Sequence, residues 1–150
     1  MTEPRPAKLV SAERVRRFRH RVLDWGAGHR RDLPWRRTRD PWHILVSEVM
    51  LQQTQVDRVV PHYERFVAAF PTATACARAG AAEVVRMWSG LGYNRRALNL
   101  HRAACAIVQL HSGRVPSDYA ALRALPGVGP YTARAVRSFG FGHDVAARAV

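Results

Sequence analysis

Residues 42–51 carry Trp42, Ile44, Leu45, Val46, Val49, Met50 and Leu51. Wound as a helix, this run is apolar nearly all round, and such a helix belongs inside a folded protein. Whatever the chain becomes, other elements must surround this segment. One carboxylate, Glu48, interrupts it. The pattern leaves two readings open. Glu48 is buried, and loss of solvent raises its pKa toward the range of a general acid near neutral pH. Alternatively, it lies exposed on a narrow polar edge with Ser47 and Gln55. The amide and hydroxyl side chains of Gln52, Gln53, Thr54 and Gln55 follow at once, and such groups read base edges.

The rest of the chain predicts helices, with no strand-like alternation of any length. Ser11 caps a helix to about residue 25, with Val15, Phe18, Val22 and Leu23 on one face and Gly26 and Gly28 ending it. Residues 29–41 read as an ordered loop. Pro41 suits the first turn of the helix over 42–52. Further helices are expected over 55–69, 74–79, 81–88, 94–111, 117–124 and 130–139, with Gly140, Gly142 and the remainder as loop. The fold class is therefore all-α, built from short helices and short connections. With 150 residues the chain is long enough for one domain with a real core. No apolar run approaches the ~20 residues of a membrane span, and no secretory h-region is visible. Cys76 and Cys105 stand far apart in Ala-rich stretches and read as small buried hydrophobes.

The formal net charge is +13 and the pI about 11.5. A chain this basic meets a polyanion, with nucleic acid the first candidate; the alternative is a merely solvated basic surface. Lys8 is the only lysine, so the positive charge is almost wholly guanidinium, which suits bidentate phosphate contacts. Ten arginines fall within residues 14–39.

Residues 117–139 predict two short helices joined by Leu125-Pro126-Gly127-Val128-Gly129. The glycines let a phosphate approach the main chain, and Pro130 starts the second helix at no hydrogen-bond cost. That helix offers free N–H groups and the positive end of its dipole. The alternative is an ordinary joint between two helices.

Four segments occur in order: Leu33-Pro34-Trp35-Arg36; Ser47-Glu48-Val49-Met50-Leu51-Gln52-Gln53-Thr54-Gln55-Val56; Gly90-Leu91-Gly92-Tyr93; and Leu125-Pro126-Gly127-Val128-Gly129 with Tyr131-Thr132. Together they resemble the A/G-specific adenine DNA glycosylases of the MutY type, within the helix-hairpin-helix DNA glycosylases. The likeness runs from about residue 12 to the end. The Gln-Gln-Thr-Gln segment is particular to this branch, and the hairpin is shared with endonuclease III relatives.

The resemblance implies base excision repair: removal of adenine mispaired with 8-oxoguanine or guanine in double-stranded DNA, after flipping of the base. It implies that Glu48 protonates the purine at N7 and that Tyr131 hydrogen-bonds within the active site. Arg31, Trp35 and Arg36 would line the adenine pocket, although plain core packing also explains Trp35 and Tyr93. Gln53 and Tyr93 would wedge into the duplex, with Gln52 and Thr54 beside them. Leu125, Gly127, Val128, Gly129, Tyr131 and Thr132 would meet DNA at the hairpin. Tyr131 stands where strand-cutting relatives carry a Schiff-base lysine, so a monofunctional glycosylase is expected.

The family also carries a four-cysteine [4Fe-4S] cluster and often a monovalent cation at the hairpin turn. Cys76 and Cys105 do not match cluster ligands, which need four thiolates; the cation at the turn is what the resemblance implies. The family's catalytic aspartate would come just after Val150, and Asp144 lacks the matching neighbours. The expectation is thus the N-terminal part of such an enzyme: a basic helix over 1–30 that would pack on the cluster domain, then a nearly complete six-helix module over 31–150. A monomer in the cytoplasm, associated with the nucleoid and not with membrane, completes it. The rival readings are a non-catalytic DNA-binding helical module and a thymine or uracil mismatch glycosylase on the same scaffold.

Overall fold

The computed structural model describes residues 11–143. By contact the chain divides into two units, Met1–Asp32 and Leu33–Val150. Among the described residues every regular element is helical, and no helix is long and apolar enough to cross a membrane.

The first unit contains α1 (Ala12–Gly28). Ser11 caps it by accepting a hydrogen bond from the Arg14 N–H, and Glu13 pairs with Arg17 one turn on. The helix does not stop at residue 25 as expected. It runs through Gly26 to Gly28, where the His29 N–H donates to the Trp25 carbonyl and the His29 ring stacks on Trp25 at 4.7 Å. Two glycines lower helix propensity without breaking a helix, and this terminal cap outweighs that cost. No residue of α1 is buried, and Phe18, Leu23 and Trp25 are all about two-thirds exposed.

The second unit starts with a 3-10 turn, Pro34–Arg36, inside what was expected to be loop. Asp40 then caps α2 (Pro41–Leu51), accepting from the Trp42 and His43 N–H groups at 2.8 and 3.4 Å. Helices α3 (Val56–Ala69), α4 (Ala73–Ala79), α5 (Ala81–Met87) and α6 (Arg95–His111) follow. The hairpin pair is α7 (Tyr119–Ala124) and α8 (Pro130–Ala135), and α8 runs on into a π turn, Val136–Gly140.

The apolar run behaves as its pattern demands. Trp42, Ile44, Leu45, Val46, Ser47, Val49 and Met50 are all buried, and α2 packs on α3, α6, α8 and the π turn. The Trp42 indole N–H donates to the Phe70 carbonyl at 3.0 Å, and a His43 ring nitrogen lies 3.0 Å from the Pro71 carbonyl. These contacts lock the start of α2 to the end of α3. Phe66 meets Phe70 and Trp88 edge-on at 4.9 and 6.0 Å, anchoring the aromatic part of the core.

Two further boundaries differ from expectation. α7 begins at Tyr119 and not at 117, because Asp118 caps it by accepting from the Ala121 N–H at 2.9 Å. The helix after the hairpin keeps α geometry only to Ala135. There the chain passes Pro41 so closely that a Cβ on Gly140 would lie 3.1 Å from the Pro41 Cα. Gly140 therefore belongs to the π turn packed on α2, not to a loop.

Candidate active site

Glu48 occupies the last turn of α2 and Tyr131 the first turn of α8. The two helices pack together, which brings these residues to one place although they are far apart in sequence. Of the two readings open for Glu48, the structure supports the buried one. Its carboxyl is half-buried, and burial pushes its pKa up to about 7. Ser47, the expected partner on a polar edge, is instead in the core, where its hydroxyl donates to the Ile44 carbonyl at 2.8 Å. Tyr131 is 46% exposed. The Glu48 carboxylate, and then burial, raise the phenol above its ordinary range. The pair thus offers a carboxyl that is about half-protonated at neutral pH beside a phenol that keeps its proton.

Gln52, at the end of α2, donates to the buried Thr132 hydroxyl at 3.4 Å. This long bond joins the Glu48 helix to the Tyr131 helix at a second point. Gln52 also lines a cleft of about 550 Å³ with Gln53, Tyr93, Arg95, Arg96 and Asn99. Gln53 and Tyr93 are exposed on its rim, and both have left-handed backbones, with φ of 56° and 51°. Left-handed non-glycine residues persist only where the surroundings fix them.

The fixing groups are ones that sequence reasoning missed. Arg96 donates to carbonyls at the end of α2 and to Gly92. Arg58 donates to the Gly90 carbonyl at 2.6 Å, and His62 ring nitrogens lie 2.9 and 3.1 Å from the carbonyls of Arg58 and Ser89. The Trp88 indole N–H donates to the Gly92 carbonyl at 3.1 Å. In sequence these residues carry no motif.

At the hairpin, the Val128 N–H closes the turn on the Leu125 carbonyl at 3.1 Å. Gly127 has φ +77°, and a Cβ there would meet the Asn99 side chain at 2.9 Å. Leu125, Val128 and Thr132 are buried, so only their main chain is available to a ligand; Gly127 and Tyr131 are exposed and Gly129 half-buried. The Arg123 guanidinium donates to the Val128 carbonyl at 2.9 Å, and Arg134 stacks on Tyr119 at 5.5 Å.

Of the expected pocket residues, Arg31 lies in the first unit and Trp35 and Arg36 in the second. Trp35 is 9% exposed, its ring edge-on to Tyr63 at 5.4 Å within the core. Arg36 is exposed on the 3-10 turn, and Arg31 is exposed in the first unit. Thr54 is half-buried and its hydroxyl accepts from Arg96 at 2.9 Å. Asp144 lies outside the described residues.

The donor set does not fit an iron–sulfur cluster, because no group of three or more His, Cys, Asp or Glu able to hold a metal ion occurs among the described residues. Cys76 is a free, buried thiol pushed up to about 12 by burial, and Cys105 is free and half-buried.

A family model described as HhH-GPD superfamily base excision DNA repair protein matches residues 46–149. The chain is 51% identical over 121 residues to a protein of Mycolicibacterium smegmatis named adenine DNA glycosylase, covering 80% of this chain and 41% of that one. It is 41% identical over 137 residues to the Homo sapiens protein of the same name, covering 85% of this chain and 25% of that one. The chain therefore spans less than half the length of these relatives. Among solved structures, a thermostable thymine-DNA glycosylase superposes with a TM-score of 0.82 at 33% identity, over 88% of this chain and 61% of that one.

Proposed function

Because the chain belongs to the HhH-GPD superfamily of base excision DNA repair proteins, we propose that it is part of a monofunctional adenine glycosylase. That enzyme hydrolyses the N-glycosidic bond of adenine mispaired with 8-oxoguanine or guanine in double-stranded DNA. It would act as a monomer in the cytoplasm, associated with the nucleoid.

The observation that carries this reading is the Glu48 carboxyl, whose pKa of about 7 leaves it about half-protonated at neutral pH. With adenine flipped from the stack, the protonated carboxyl donates its proton to N7. The C1′–N9 bond then breaks, adenine leaves with the bonding electrons, and the sugar passes through an oxocarbenium-like state. Water adds at C1′ and gives up a proton. Tyr131, exposed beside Glu48, is the hydroxyl available to orient either the base or the carboxylate.

Arg31, Trp35 and Arg36 are proposed to border the flipped base, with Trp35 held in the core as a fixed wall. Gln53 and Tyr93, with Gln52 and Thr54 behind them, are proposed to enter the duplex. The main chain at Leu125, Gly127, Val128 and Gly129 and the first turn of α8, with Tyr131 and Thr132, are proposed to meet phosphate. The net charge of +13 supports a polyanionic partner. A [4Fe-4S] cluster belongs to the family resemblance, but the described residues do not hold its ligands and no step here runs through it. A monovalent cation at the hairpin turn would be held by main-chain carbonyls of that turn, among which the Val128 carbonyl also accepts from Arg123.

The adenine-directed reading is favoured over a thymine-directed one by the higher identity to proteins named adenine DNA glycosylase, 51% against 33%. Single-turnover assays on A:8-oxoguanine, A:G and T:G duplexes test it. Adenine release from A:8-oxoguanine is the expected result. Thymine release without adenine release would transfer the assignment, and duplex binding without any base release would reduce the chain to a DNA-binding module.

A further inference from the structure

One guanidinium holds both loops of the cleft. Arg96, in the first turn of α6, donates to the carbonyls of Val49 at 3.0 Å, Met50 at 2.7 Å and Gln52, and to the Thr54 hydroxyl at 2.9 Å. It reaches the Gly92 carbonyl at 3.1 Å. Its Cζ lies over the rings of Trp88 and Tyr93, 5.4 and 5.6 Å from their centroids. Burial lowers its pKa, yet guanidinium stays charged in proteins.

These acceptors are placed tellingly. Gln53 lies between Gln52 and Thr54, both held by Arg96, and Tyr93 directly follows Gly92, also held. Gln53 and Tyr93 have φ of 56° and 51°, a conformation non-glycine residues avoid unless their flanks are pinned. Val49 and Met50 belong to the last turn of the Glu48 helix, whose final carbonyls have no partners within the helix and whose dipole favours a cation there. A single side chain thus closes the end of α2 and clamps the two residues at the rim.

We propose that Arg96 is a positioning residue: it holds Gln53 and Tyr93 in their left-handed backbones, ready to enter a duplex, and fixes that wedge to the helix carrying Glu48. The inference rests on the reading of Gln53 and Tyr93 as wedge residues. Arg96 acts through them, its Nη1 and Nη2 groups being turned inward to the chain's own carbonyls and the Thr54 hydroxyl.

The test uses a duplex with 2-aminopurine beside the mispair, a base that brightens when it is unstacked. Affinity and brightening are measured separately, so excision is not needed. The wild-type chain brightens the duplex on binding. Arg96→Lys keeps the charge, so affinity stays within about twofold, because phosphate attraction follows charge. A compact ammonium cannot span acceptors on both loops, so brightening at saturation falls roughly threefold or more. Wild-type brightening in Arg96→Lys would overturn the role of Arg96 alone. Affinity and brightening lost in proportion would also overturn it, since the residue would then serve binding or folding in general. No brightening by the wild-type chain would overturn the wedge reading, and this inference with it. Circular dichroism checks folding. If the lysine variant is unfolded, Arg96→Gln, which keeps a planar donor but not the charge, is read by brightening at saturating protein alone: a fall of roughly threefold or more is expected, and wild-type brightening would overturn the role of Arg96.

Discussion

Gln52 donates to Thr132 across the α2–α8 interface, and each has a functional neighbour: Glu48 lies one turn before Gln52, and Tyr131 directly precedes Thr132. Holding these ends together keeps the half-buried carboxyl beside the phenol that its charge affects. The apolar run of α2 supplies the other half of the arrangement, because it fixes the depth at which Glu48 sits and therefore its pKa.

A carboxyl held at about 7 in the folded chain ionises near 4.5 when exposed. Between those values the folded state binds more protons than the unfolded one, so stability falls as pH rises through 4.5 to 7 and levels off above. Across the window the loss is about 2–3 kcal/mol, taking ~1.4 kcal/mol per unit and discounting for partial exposure. Glu48→Gln removes the ionisation. Its melting temperature should therefore exceed the wild type by several degrees at pH 8 and match it near pH 4.5. Parallel melting curves at the two pH values check this, and an equal difference at both would mean Glu48 is not held protonated by burial.

The same group sets the pH dependence of the chemistry. If the protonated carboxyl is the general acid, single-turnover adenine excision declines above about pH 7, approaching tenfold per unit. Glu48→Gln should lower the rate by a factor on the order of 10² or more while duplex affinity is kept. A flat rate from pH 6 to 9, or wild-type turnover in the variant, would remove Glu48 from the mechanism.

The helical class and the burial of α2 were legible because a run apolar on every side admits one environment. The hairpin was legible because Pro and Gly fix backbone directions locally. The end of α1 was not, since a cap formed by His29 reaching back to Trp25 competes with two glycines and propensity does not decide between them. Glu48 needed the structure as well: periodicity left open a polar edge shared with Ser47, whereas the Ser47 hydroxyl satisfies itself on the Ile44 carbonyl and goes into the core. Arg96, Arg58 and His62 were invisible because each acts on main-chain carbonyls of distant segments, and main-chain acceptors leave no mark in a sequence.

Lysine chemistry offers an independent check on the monofunctional reading. The only lysine, Lys8, lies outside the described residues, and Tyr131 occupies the site beside Glu48. Borohydride treatment during reaction with an A:8-oxoguanine duplex should therefore trap no stable protein–DNA adduct, since Tyr131 carries no amine to form the Schiff base. Tyr131→Lys places an amine there and should yield a trapped band on denaturing gels. A strong adduct from the wild-type chain would point to Lys8 or to the N-terminal amine as a nucleophile.

Gly127 joins the hairpin to the cleft. Its φ of +77° is one that residues with a Cβ avoid, and an added Cβ would lie 2.9 Å from the Cβ of Asn99. Asn99 is on α6 and lines the cleft, so it can give way only by moving a wall of that site. Gly127→Ala should therefore cost about 1–2 kcal/mol from backbone strain, and more from the contact. The turn would also shift away from the position that lets phosphate approach the main chain, lowering affinity for undamaged and mispaired duplexes alike, because phosphate contacts carry no sequence information. Thermal unfolding together with titration of both duplexes checks the two parts. A variant that is destabilised yet binds both duplexes as tightly as the wild type would show that the hairpin turn is structural only.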